Sequence, residues 1–172
     1  IVYFGCYLFW AVNYILAARQ DREQVYRFFT ADCISRCVCL VIFLVYPTTN
    51  TRPEIMEPGF WNQLAGWLYS IDAADNLFPS IHCLVSWFCF LGVKDQKKIP
   101  VWYKTVSFVL AVLVFFSTLF TKQHVIVDVI GGVALAQICF WLGEHTGLWH
   151  IYERIGGKIE KTIERYKEGT IR

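Results

Sequence analysis

Residues 121–142 read TKQHVIVDVIGGVALAQICFWL. The stretch is apolar for long enough to cross a bilayer, which takes about 20 residues. Yet it opens on His124 and carries Asp128 four positions later. Ionisable groups are costly inside a membrane and mark function there. A second histidine, His82, stands at the start of another apolar run, in Phe78-Pro79-Ser80-Ile81-His82.

The rest of the chain has the same character. Of its 172 residues 56% are hydrophobic and 17% aromatic, and the mean hydropathy is +0.41. Soluble domains carry charge on about a quarter of their residues, and this chain on 17%. Five apolar segments, at 1–18, 33–46, 78–93, 105–121 and 124–143, predict an all-α polytopic transmembrane bundle of five spans. The chain opens within an apolar run, without Met or a basic leader, so an earlier, sixth span is expected in the full protein. Residues 1–172 read as a single membrane-embedded catalytic domain, with an amphipathic tail over 144–172. A net charge of +2 gives no field for nucleic acid.

Basic residues are unevenly placed. The segments 19–36 and 94–104 and the tail after 143 hold 14 of the 16 lysines and arginines, leaving only Arg52 and Lys122 for the alternate loops. The positive-inside rule then makes the basic segments and the C-terminus cytoplasmic. A multi-pass plasma (inner) membrane protein is expected, with both histidines and both remaining cations on the extracytoplasmic side. Lone cations beside buried histidines suggest an anion site.

In the long outer segment 47–77, Phe60, Trp61, Leu64, Trp67 and Leu68 keep helical spacing. They predict a short interfacial helix, a simple anchor or the wall of a lateral lipid entrance. In the tail, Ile151, Ile155, Ile159 and Ile163 recur among charges. That pattern fits a helix on the inner membrane surface, or one that self-associates and makes the chain a homo-oligomer. Gly156-Gly157 weakens the pattern, and His145 and His150 read as solvated tail residues. Gly131, Gly132, Ala134 and Ala136 give the last span a small-residue packing face. The seven cysteines fall in or beside apolar runs without a metal-binding spacing and read as small buried hydrophobes.

Residues four apart on a helix share a face, so Asp128 can hold one nitrogen of His124 and leave the other free as a base or nucleophile. Pro79 and Ser80 mark a helix start, where backbone N–H groups and the Ser80 hydroxyl can receive an anion. His82 is then placed to protonate a leaving oxygen. Together these groups make a set for phosphoryl transfer through a covalent histidine intermediate. A packing pair and a metal site of two histidines and an aspartate are the competing readings; the metal site lacks further ligands at a familiar spacing.

Three signatures in order resemble the type 2 phosphatidic acid phosphatase superfamily: Arg52-Pro53, then Pro79-Ser80-Ile81-His82, then Ser117-Thr118 followed by His124 and Asp128. The resemblance implies a metal-independent membrane enzyme, without cofactor, acting on a lipid phosphate. It implies His124 as nucleophile, Asp128 as its orienter, His82 as proton donor, and Arg52 and Ser80 as phosphate ligands. Val45 and Thr118 stand where the family pattern has lysine and arginine, and Lys122 is the expected partial substitute. The Thr-Lys-Gln-His run looks like the branch near inositol-phosphotransferases and sphingolipid head-group synthases. Head-group transfer, a proton-relaying transporter and a lipid-binding protein without turnover are the rival expectations.

Overall fold

The computed structural model describes residues 1–55 and 58–170, apart from the side chains at 160, 163, 164 and 167–170. Ile163, Lys167 and Arg172 of the tail pattern lie outside the described side chains. The described chain is all-helical: α1 (Val2–Ala18), α2 (Arg22–Val45), α3 (Phe60–Ile71), α4 (Ile81–Lys94), α5 (Val101–Phe120), α6 (Ile126–His145), a 3-10 turn (Gly147–Trp149) and α7 (His150–Thr170). Helices α2, α5 and α6 are long and apolar enough to cross a membrane, while α1 and α4 are shorter apolar helices.

α4 is the centre of the bundle, packed against α1, α5 and α6, and α6 also lies along α2. Its 14 residues extend about 21 Å, less than a hydrocarbon core. Leu84, Val85, Phe88, Cys89, Leu91 and Val93 are all buried, so protein rather than lipid surrounds it. Leu77, Pro79 and Ser80 before it are irregular but buried too, and the backbone bonds out to neighbouring segments there. The Ser80 N–H donates to the Asp128 carbonyl (3.0 Å), the Ser80 carbonyl accepts from Leu84 N–H (3.0 Å), and Phe78 N–H donates to Thr48 Oγ1 (3.0 Å). Non-helical backbone at membrane depth is tolerated only under such cover.

The bundle exposes large apolar side chains and buries polar ones beside its apolar core. Leu8, Leu40, Leu44, Phe116, Phe120 and Ile130 are exposed, whereas Asn13, Ser35, Ser86, Ser107 and Thr118 are buried. Interhelical hydrogen bonds use those inner polar groups, as in Trp10 Nε1 to Ser86 Oγ (2.8 Å) and Ser107 Oγ to Asn13 Oδ1 (3.4 Å). Such an inverted surface is what a lipid solvent demands. Gly132 lets α6 approach α4 closely, since a Cβ there would stand 2.4 Å from the Ser80 carbonyl oxygen.

Several boundaries differ from the sequence expectation, α4 starting at Ile81 and α5 at Val101, and two of the differences matter most. α2 begins at Arg22, well before residue 33, because its charges pair along the helix. Arg27 meets Glu23 at 2.6 Å and Arg36 meets Asp32 at 3.2 Å, both four residues apart, and the Tyr14 hydroxyl donates to Asp32 (2.9 Å). The segment 19–36 is therefore mostly helix, with only a short turn before Arg22. The second difference is α6, which starts after His124 instead of including it. The tail helix α7 runs through Gly156-Gly157, and Ile151, Ile155 and Ile159 are exposed along it. Cys33 and Cys37 are exposed, and the other five cysteines are buried.

Candidate active site

The N-termini of α1, α4 and α6 meet the C-termini of α2 and α5 at one end of the bundle, beside α3. There a cavity of about 260 Å³ is lined by His82, His124, Gln123, Asp72, Asp75 and Asn76. The two imidazole rings are neighbours, with centroids 5.8 Å apart and planes tilted by 59°. Residues 42 positions apart in sequence thus share one small chamber.

His124 is held by the turn that ends α5. Lys122 takes a left-handed φ of 56°, and this lets the N–H groups of both Gln123 and His124 donate to the Thr118 carbonyl, at 2.9 and 3.2 Å. Asp128 is the third residue of α6 and its Oδ2 accepts from the Val125 N–H at 3.0 Å, closing the first turn. The same oxygen lies 3.4 Å from His124 Nδ1. That approach is long for a hydrogen bond, and Nδ1 is buried without a hydrogen-bonded partner. Catalytic contacts in ligand-free sites are commonly loose and tighten with substrate. Burial, the dominant influence, holds the His124 imidazole below its ordinary value, and the Asp128 carboxylate pulls the other way.

His82 lies one residue inside α4, and its setting comes largely from α1. Tyr3, Trp10 and Tyr7 ring it at centroid distances of 4.7, 5.5 and 6.4 Å. These aromatics fall at i, i+4 and i+7, a periodicity legible in the sequence once α1 is known to face the site. The Tyr3 hydroxyl donates to the Asp72 carboxylate. Neither Tyr3 nor Asp72 figures among the sequence candidates, because the residues that connect them to the histidines are remote in the chain.

Arg52 reaches the same place from the loop after α2. Its guanidinium donates to the Asp72 carbonyl and to Gln123 Oε1, and it lies 4.9 Å from the Tyr69 ring centre. These partners are uncharged, so among the described residues no carboxylate neutralises it. Arg52 Nε and Gln123 Nε2 are both buried without a partner. An unsatisfied buried donor costs about 1–3 kcal/mol. Of the two, Gln123 lines the histidine cavity, together with Asp72 and Asp75, and Arg52 stands behind it, bonded to the Gln123 oxygen. Arg52 itself lines a wider neighbouring cleft of about 440 Å³ with Pro53 and Tyr69, and that cleft lacks the histidines.

The remaining sequence candidates sit differently. Ser80 is fully buried and caps α4, its Oγ accepting from the Cys83 N–H at 3.3 Å, and it is not part of the cavity lining. Lys122 is exposed and also outside that lining. Val45 is exposed at the end of α2. Thr118 is buried, and its hydroxyl donates to the Phe115 carbonyl at 2.8 Å. His145 and His150 lie at the far end of the bundle, and His150 pairs with Glu153 at 3.0 Å. Among the described residues no group of three or more His, Cys, Asp or Glu is placed to hold a metal ion.

The family model for the PAP2 superfamily matches residues 2–142 of the chain. No curated protein and no solved structure matches it.

Proposed function

Since the chain belongs to the PAP2 superfamily, we propose that it is a metal-independent lipid phosphatase or phosphotransferase that works through a phosphohistidine on His124. The observation that carries this is the pair of neighbouring imidazoles, 5.8 Å apart, one of them backed by Asp128. Nδ1 of His124 faces the carboxylate, so Nε2 is the attacking nitrogen. An N–P bond forms and the ester P–O bond breaks, and His82 donates its proton to the departing alkoxide. In the second step neutral His82 takes a proton from water, whose oxygen attacks phosphorus. The N–P bond then breaks, the electron pair returns to His124, and phosphate leaves. In-line displacement needs nucleophile and acid on opposite sides of phosphorus, and two imidazoles from different helices lining one cavity support that reading.

Asp128 orients His124 and stabilises its positive charge while the N–P bond exists. Arg52 holds phosphoryl oxygens, and its unneutralised charge supports that role. Ser80 and Lys122 are weaker phosphate ligands in this reading, since one caps a helix and the other is exposed. The site lies at the extracytoplasmic face, with the C-terminus cytoplasmic. The charge asymmetry supports this, because Arg19, Arg22, Lys94, Lys97 and Lys98 all lie at the end away from the histidines.

A second reading is head-group transfer from a phospholipid to an acceptor lipid alcohol in place of water. It is favoured by Val45 and Thr118, neutral residues where the family pattern has cations. A phosphodiester carries less charge than a monoester and needs fewer of them. The test is a panel of lipid phosphomonoesters and phospholipids, with and without chelator, beside His124→Ala. Chelator-insensitive turnover lost in the variant supports the enzyme, and preference for diesters with an acceptor lipid selects transfer. No turnover of any lipid would leave binding or proton relay as the function.

A further inference from the structure

Gln123 precedes the proposed nucleophile and is 1% exposed. Its carboxamide cannot be turned round. A guanidinium only donates, so the oxygen must face Arg52, which donates to Oε1. The amide nitrogen is thereby committed to the opposite side. That nitrogen is buried, has no partner, and belongs to a side chain that lines the histidine cavity. His82 and His124 line the same cavity. The candidates for replacing the missing cations do less: Lys122 is exposed outside the lining, and the Thr118 hydroxyl is spent on the Phe115 carbonyl.

We propose that Gln123 is a substrate ligand, donating an Nε2 hydrogen bond to a non-bridging oxygen of the phosphoryl group at His124. The inference rests on the phosphoryl-transfer reading above. Gln123 supplies neutrally what an arginine would supply with charge, while its oxygen holds the Arg52 guanidinium behind it. Both are set by one short turn, because the Gln123 and His124 N–H groups share the Thr118 carbonyl. Nucleophile and oxygen ligand therefore move as one unit.

The test uses the full chain in detergent with inorganic phosphate as the probe. The side-chain amide resonance of Gln123 is assigned by its disappearance in Gln123→Met. Phosphate should move that resonance downfield, and Gln123→Met should bind phosphate about 10- to 100-fold more weakly, the range of a hydrogen bond to a charged group. A residue that merely positions Arg52 would not move the Nε2 proton in this way. Phosphate binding by the wild type with an unmoved resonance, or with equal affinity in a folded Gln123→Met, would overturn this inference alone. A wild type that neither binds phosphate nor turns over lipid phosphates would overturn it together with the reading it rests on.

Discussion

Replacing Gly132 by alanine should disable the site without touching a reacting group. A Cβ at this position stands 2.4 Å from the Ser80 carbonyl oxygen and 3.2 Å from the Leu84 nitrogen, both backbone atoms that no rotamer change can move. Relieving the first contact needs a separation of α6 from α4 by about 1 Å, and overpacking of this kind costs about 1–3 kcal/mol. The same movement stretches the bond from Ser80 N–H to the Asp128 carbonyl, now 3.0 Å, beyond hydrogen-bonding distance. Asp128 and His124 then shift relative to His82. A misplacement of about 1 Å can cost about 10²-fold in rate. The assay is kcat/KM on a lipid phosphate together with thermal unfolding in detergent. Gly157→Ala is the control, since nothing lies within 4 Å of an added Cβ there, and it should leave activity unchanged. Wild-type kcat/KM in a Gly132→Ala protein would refute the claim that this backbone contact sets the spacing of the two histidines.

Asp128→Asn should lower kcat by about 10²- to 10⁴-fold, the range for a positioned acid–base group, with little change in substrate binding; steady-state kinetics check the split. Arg52→Ala should lower kcat/KM by about 10²- to 10³-fold, as removal of one transition-state donor does, and the drop should persist with detergent-solubilised substrate. The attacking form of His124 is neutral, and burial keeps its pKa below the ordinary 6.5. The acid limb of the pH–rate profile should therefore fall below pH 6.5. It should move further toward acid in Asp128→Asn, since the carboxylate that raises the value is gone; a limb above pH 6.5 or an alkaline movement would contradict the assignment.

The membrane bundle was legible because lipid-facing helices announce themselves as unbroken apolar runs, and the helix at Phe60–Ile71 because its aromatics keep helical spacing. The early start of α2 was hidden by Arg22, Glu23, Arg27, Asp32 and Arg36, which look like a loop until their pairing is known. His82, His124 and Asp128 stood out because ionisable groups are rare in such runs. Their pairing was expected from helical spacing, yet His124 precedes α6, and the turn at Lys122 brings it to Asp128. Tyr3, Asp72 and the link from Arg52 to Gln123 were not legible. They join residues about 70 positions apart, and single-sequence periodicity carries no information on such contacts.

The most direct measurement is to trap the intermediate. Protein mixed with a lipid phosphate labelled in its phosphoryl group is quenched in alkali, where phosphohistidine survives, and the labelled peptide is identified by mass spectrometry. The account predicts label on His124 alone, absent in His124→Ala and retained in the presence of chelator. Turnover with no protein-bound label, or label on any other side chain, would contradict it.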